Sequence, residues 1–429
     1  MSLLAPYEPT AEDPFDLRKA GHLLRRAAFG GSLRERRALI RVGVEKAVDR
    51  MFVPGDGEDL DGYLPDVLAL GEIGQLRAYR VWRALDSSTR LREKMSLFWH
   101  GHFATSNQKV KNTRMMGRQL ALFDQLGLGR FDDLVLAVSR DPAMVRWLDS
   151  ETNVRGEANE NYARELFELF TLGEGNYTER DVQQAARSFT GWHLRGEEFV
   201  FKRAYHDDGD KTLFGETGQF SGEDVVAMTV RHPASAAFIA KRLLVYFVHP
   251  EPTREEVEAL AATYTEQDRH VGRTLRVLLG SRLFFSARAY RSKIKSPVDF
   301  VVGLVRCLGG RASPNSLSEA ITQMGQALLE PPNVAGWKDE RSWITSATWL
   351  VRSNFAATLF SPRFKMSPTR EEILPPDSPE GRARRVLELL LDSDVSVETR
   401  RKVERFAADE EDPAGLIHAV QCLPEGQML

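Results

Sequence analysis

The most restrictive feature of this chain is an apolar stripe of helical period that returns along most of its length. It recurs over residues 14–28, 34–52, 74–100, 114–126, 131–148, 158–172, 273–285, 296–308 and 316–329. After Thr178 the apolar positions are Val182, Ala185, Ala186 and Phe189, the i, i+3, i+4, i+7 spacing with which a helix buries one side. Ser32 with Glu35, Thr253 with Glu256 and Thr178 with Asp181 have capping-box spacing, so each hydroxyl can accept a free first-turn N–H. Pro233 suits a first helical position, where its missing N–H would be unpaired anyway, and Phe238, Ile239, Leu243 and Phe247 then run inward. A chain patterned this way folds as a mainly α protein.

One interval departs from the helical period. Over 197–220, apolar residues flank Asp207-Asp208-Gly209-Asp210, which is turn chemistry and predicts a β-hairpin inserted in the helical body. Pro362, Pro368, Pro375, Pro376 and Pro379 cannot continue a helix, so 361–379 is expected to be a linker or a long surface loop. The expected organisation is a helical main domain over 1–360, this linker, and a small helical C-terminal module over 380–429. So short a module seldom supplies its own core, and docking on the main domain is expected. No fixed internal period marks a solenoid.

Composition narrows the classes of function. Net charge is −3 with 28% charged residues, an ordinary balance that demands no polyanionic partner. Residues 16–50 carry ten Lys/Arg against four Asp/Glu, but these alternate with leucines at helical spacing and read as a wetted helix face, so no nucleic-acid partner is expected. Cys307 and Cys422 alone exclude a disulfide scaffold and a four-cysteine zinc site. No apolar run reaches the roughly 18 residues of a membrane span. Met1-Ser2-Leu3-Leu4-Ala5-Pro6 has no basic start and no long apolar stretch. The expectation is therefore a cytoplasmic protein as the sequence stands, or a periplasmic or exported one if a leader has been removed.

Three segments carry residues suited to chemistry. In Phe98-Trp99-His100-Gly101-His102-Phe103, the two imidazoles share a face if Gly101 lets the chain extend, and lie about 200° apart if the helix continues. The first arrangement suits a metal ion or proton transfer; the second suits packed histidines at a helix end. In 159–173, Asn161, Glu165 and Glu168 share one helix side while Tyr162, Leu166 and Phe170 take the other. Those carboxylates either form a solvated face or meet another helix across a cleft, where one could take a proton or bind a cation. In Tyr205-His206-Asp207-Asp208-Gly209-Asp210-Lys211, the acids lack calcium-loop spacing, and an Asp-Gly turn competes with a His206–Asp207 pair in which the carboxylate orients the ring. Pro331-Pro332-Asn333-Val334-Ala335-Gly336-Trp337, with Trp343 and Trp349, forms either a rigid packed turn or an aromatic cleft wall. No phosphate-loop, nucleophile-elbow or His-Glu-x-x-His motif is present.

These segments, in this order, resemble the bacterial domain-of-unknown-function family numbered 1800 (DUF1800). The similarity is carried by His22–Gly30, Phe98–Phe103, Asn159–Gly173, Tyr177–Val182, Gly191-Trp192, His206-Asp207 with Lys211, His232-Pro233 and Pro331–Trp337, and spans roughly 15–360. The resemblance implies a helical bacterial domain, often exported and often encoded beside a phosphatase- or sulfatase-like protein. It adds weight to polar positions such as Arg26, Arg164 and Asp181, while Gly101 departs from the family, which often has Asn there and with it a further hydrogen bond.

The reading that follows is an enzyme of hydrolase type, its site between the 90–103 and 158–172 helices and closed by the hairpin. Glu165, His102, His100, His206 and Asp207 are the expected acid/base groups; Arg26, Asn161, Lys211, Trp192 and Trp337 are expected to bind substrate. His100, His102 and Glu165 are the candidate ligands if a divalent metal is used. The alternative is a non-catalytic binding or assembly partner of a phosphatase- or sulfatase-like protein, with the polar motifs forming buried networks.

Overall fold

The computed structural model describes residues 3–55, 57–337, 340–375 and 377–429, so Pro376 of the proline-rich stretch and the first two residues lie outside the described residues. The fold is mainly α, with helices over 60% of the chain and strands over 6%. Local chemistry starts the helices where the sequence places them. Ser32–Glu35, Thr178–Asp181 and Thr253–Glu256 all form complete capping boxes, at the heads of Leu33–Val42, Glu179–Ser188 and Arg254–Glu266. Pro233 opens Pro233–Phe247, with His232 as its cap.

Three of the long stripes are each two helices. The 34–52 stripe breaks at Gly43, whose φ of +80° suits glycine, and 74–100 breaks at Ser87–Thr89. The 131–148 stripe breaks where Asp141 caps a new helix that begins with Pro142. In each case the apolar face continues past a short interruption, so periodicity alone does not reveal the break. The β segment also differs from expectation: there are two hairpins rather than one. Trp192–Arg195 pairs with Glu198–Phe201, and Lys211–Leu213 with Glu216–Gly218. Gly196 and Gly215, both at positive φ, make the turns, and the acidic 207–210 run connects the hairpins.

Two apolar cores result. The first gathers residues from Leu4 to Leu329, including Met95, Phe98, Trp99, Phe103 and Phe170. The second joins Pro297–Cys307, Pro314–Gln323 and Ser346–Thr358 to the C-terminal helices Pro379–Leu391, Val397–Asp409 and Pro413–Gln421. Phe364, Ile373 and Leu374 from the proline-rich stretch are buried in it as well. Among the described residues, no helix is long and apolar enough to cross a membrane.

A buried carboxylate fastens the C-terminal helices to the N-terminal ones. Asp392 ends helix 379–391 in a left-handed conformation and receives Arg25 Nη1 and Arg36 Nη1, each at 2.6 Å. Arg36 also donates to the Leu389 carbonyl at 2.5 Å and to that of Glu388 at 3.0 Å. Gly21 leaves the space the carboxylate fills, since a Cβ there would overlap it. Removing one member of such a network strands the others without water, which typically costs about 3–5 kcal/mol. Asp392→Asn should therefore lose roughly that much in urea unfolding, whereas Glu258→Gln, which breaks the exposed Arg254–Glu258 pair, should cost under about 1 kcal/mol. Equal, small losses for both variants would contradict the fastening role.

Candidate functional site

The helix Arg90–His102 runs unbroken through Gly101, which sends the two histidines to opposite sides. His100 Nε2 accepts the Leu329 N–H at 3.0 Å, with its ring edge-on to Trp337 at 5.3 Å. His102 Nε2 donates to the Phe170 carbonyl at 2.9 Å, among Phe98, Trp99, Phe103 and Phe238. Each is 2% exposed. Burial pushes both pKa values down to about 3, helped by Arg80 at His100 and by Arg242 at His102. Both rings are therefore neutral packing elements, and the contact between the 90–102 and 161–171 segments is filled with aromatic side chains.

The other sequence-derived residues are spread more widely. Asn161 is exposed, and Glu165 is half-buried at the point where helix Asn161–Glu165 passes into a π-helical turn, Leu166–Thr171. Burial and the neighbouring Glu168 raise the Glu165 pKa, which Arg164 partly offsets. His206 and Asp207 do not touch as an oriented pair. His206 Nδ1 meets the Thr190 carbonyl at 2.9 Å, while Arg187 grips Asp207 with Nε at 2.7 Å and Nη2 at 3.2 Å and depresses its pKa. Lys211 donates to the Asp207 backbone carbonyl, so Arg187, Asp207 and Lys211 brace the link between the hairpins. Trp192 is buried against Phe189 and Phe199. Arg26 is fully buried and donates to the Ala289 carbonyl at 2.8 Å and to Ser292 at 3.2 Å. Among the described residues, no group of three or more His, Cys, Asp or Glu is placed to hold a metal, so His100, His102 and Glu165 do not form one.

A different set of residues converges. A cavity of about 320 Å³ opens between helices 90–102, 233–247 and the start of 297–307, with Gln326, Trp337 and Trp343 also lining it. Helix 90–102 presents Lys94, Leu97, Phe98 and Gly101 to it, an i, i+3, i+4, i+7 face; helix 233–247 presents Arg242, Val245 and Tyr246. Trp337 and Trp343 supply the aromatic wall that the 331–349 segment suggests. Gly101 is open rather than cramped: a Cβ there would meet nothing within 4 Å. Gly101 stands one residue before the helix end, where glycine costs less than the roughly 1 kcal/mol of a helix interior, and it leaves the cavity clear.

At the cavity floor Lys94 Nζ is ion-paired with Asp299, whose other oxygen accepts from Ser296 Oγ at 2.8 Å. The Lys94 ammonium lies over the Phe29 ring at 4.5 Å and the Tyr246 ring at 5.5 Å. Burial lowers the Lys94 pKa and Asp299 supports the charged form. Arg242 differs from these. It is exposed to solvent, the protein around it lowers its pKa, and no carboxylate among the described residues pairs with it. Sequence reasoning missed Lys94, Arg242, Tyr246 and Asp299. The available signal was a cation on each inward-facing helical stripe, at Lys94 beside Leu97 and Phe98, and at Arg242 beside Val245 and Tyr246.

The family model described as "Protein of unknown function (DUF1800)" matches residues 22–426, and the chain belongs to that family. No curated protein and no solved structure matches it.

The buried histidines give a pH test. Unfolded imidazoles take up a proton near pH 6.5, while the native rings resist it until about pH 3. Below 6.5 the unfolded state thus binds more protons, and stability falls with decreasing pH by up to about 1.4 kcal/mol per pH unit for each ring. At pH 5, imidazole nitrogen NMR should show two neutral rings of opposite tautomer, Nδ1–H at His100 and Nε2–H at His102. Titration of either ring near 6.5 in the native protein would contradict the burial argument.

Proposed function

We propose that this chain is a small-molecule-binding protein whose site is the cavity over the Lys94–Asp299 pair. The carrying observation is Arg242, a solvent-accessible guanidinium with no ion-pair or hydrogen-bond partner among the described residues, beside a cavity walled by Phe98, Tyr246, Trp337 and Trp343. The cavity falls within the roughly 300–1,000 Å³ range of ligand sites, and apolar walls with few polar groups are their usual lining. The family resemblance makes a phosphatase- or sulfatase-like protein the first macromolecular partner to test for supply or removal of the ligand.

Gly101→Leu separates this reading from a structural void. The added side chain enters open space and improves helix propensity, so the variant should fold with unchanged or higher stability. In a thermal-shift screen of aromatic acids, alcohols and amines, wild-type protein should be stabilised by at least one class, and Gly101→Leu should lose that shift. Identical shifts in both proteins, or none in either, would contradict the proposal.

A second reading keeps hydrolysis at Glu165. It is favoured by the raised pKa of this half-open carboxyl and by its place at a π-turn, a feature frequent at functional sites. On this reading wild-type protein hydrolyses at least one p-nitrophenyl ester, phosphate or sulfate, and Glu165→Gln lowers the rate at least about 100-fold, the usual scale of general acid–base catalysis. An inactive wild type, or an equally active variant, counts against it.

A further inference from the structure

We infer that the cavity selects a singly charged organic anion: an oxyanion head bound by Arg242, carrying a flat apolar body that lies against the aromatic wall. The inference rests on the cavity being the ligand site and names the chemistry of what enters it.

The buried cations of this fold have partners: Lys295 donates to the Gly426 carbonyl and Arg352 to the Lys295 carbonyl, and others meet carboxylates. Arg25 and Arg36 share Asp392, Arg83 is held by Glu93 with Nη2 at 2.5 Å, Arg306 reaches Glu35 at 3.3 Å, and Lys94 has Asp299. Among the cavity's described cations, Lys94 is paired with Asp299 and Lys293 donates to the Val245 carbonyl, whereas Arg242 makes no such ion pair or hydrogen bond and stands open to solvent. A guanidinium keeps its charge at neutral pH, so one that faces solvent at the cavity with no protein counter-charge is open to an entering anion.

The floor cannot supply that counter-charge. The Asp299 oxygens are engaged by Lys94 and Ser296, and this neutralised pair offers nothing to a cationic ligand. Arg242 offers one positive charge in a planar donor fork, which a carboxylate or sulfonate matches. Arg242 and Tyr246 stand one turn apart on the same helix face, and the Tyr246 hydroxyl has only a long, 3.4 Å contact with the Lys94 carbonyl, which leaves a second donor beside the head. Trp337 and Trp343 then define the ligand's apolar part, since aromatic side chains contribute most by covering flat surface.

The test is calorimetric titration of 2-naphthoate, naphthalene-2-sulfonate, 2-naphthalenemethanol and 2-naphthylmethylamine into the full chain. Both acids should bind at least tenfold more tightly than the alcohol, with the amine weakest. Arg242→Gln should weaken the acids 10- to 100-fold, as expected for loss of a charge-assisted hydrogen bond, and leave the alcohol unchanged. Arg242→Lys should recover part of the loss. Without ligand, Arg242→Gln should melt no lower than wild type, because the exposed Arg242 makes no ion pair or hydrogen bond among the described residues for it to break.

An alcohol that binds as tightly as the acids, or an acid-to-alcohol ratio unmoved by Arg242→Gln, would overturn the anion assignment. If that binding still disappears in Gly101→Leu, the cavity reading survives alone. If none of the four compounds binds, both readings fall.

Discussion

The structure turns on the buried pairing of Lys94 with Asp299. Lys94 belongs to a helix whose Met95 and Phe98 sit in the first core, while Asp299 opens a helix that belongs to the second. Withdrawing two charges from water is costly, and the arrangement offsets that cost in several ways. Ser296 caps the Asp299 helix and bonds its carboxylate, the helix N-terminus favours a negative charge at that point, and two aromatic rings face the ammonium. The pair thus joins the cores and makes the floor of the cavity between them. Its neutrality leaves Arg242 and Lys293 as the cavity's remaining described cations.

The polar residues most prominent in the motifs serve the architecture. His100 and His102 connect the end of one helix to Leu329 and Phe170 in different parts of the chain. Asp207 and Lys211 brace the hairpin link, and Arg26 ties the first helix to the 289–292 turn. Each satisfies a backbone or side-chain group that burial would otherwise strand, which accounts for such particular residue types without requiring chemistry at them.

Much of the fold was legible because its determinants are local. Capping pairs and helical stripes act over four to eight residues, and the helices begin where Ser32, Thr178, Thr253 and Pro233 place them. The breaks at Gly43 and Asp141–Pro142 were signalled by their residues but obscured by apolar faces that run past them. The second hairpin was signalled by Gly196 and Gly215. The site was harder to read, because whether a helix persists through Gly101 decides the histidine geometry, and local propensity does not settle it. The cavity unites Lys94, Arg242, Asp299 and Trp337 across more than two hundred positions, and no spacing rule encodes such pairing. Of its parts, only the tryptophan-bearing segment was read from the sequence; the cations on two inward faces were passed over.

The central claim is that the aromatic-walled cavity above Lys94–Asp299 receives an anionic ligand. A crystal grown with 6-bromo-2-naphthoate tests this most directly, because bromine's anomalous signal locates the ligand without regard to any docking assumption. The account predicts a bromine peak beside Trp337 and Trp343, with the carboxylate on Arg242. A peak confined to the outer surface, or a bound ligand with its carboxylate turned away from Arg242, would contradict it.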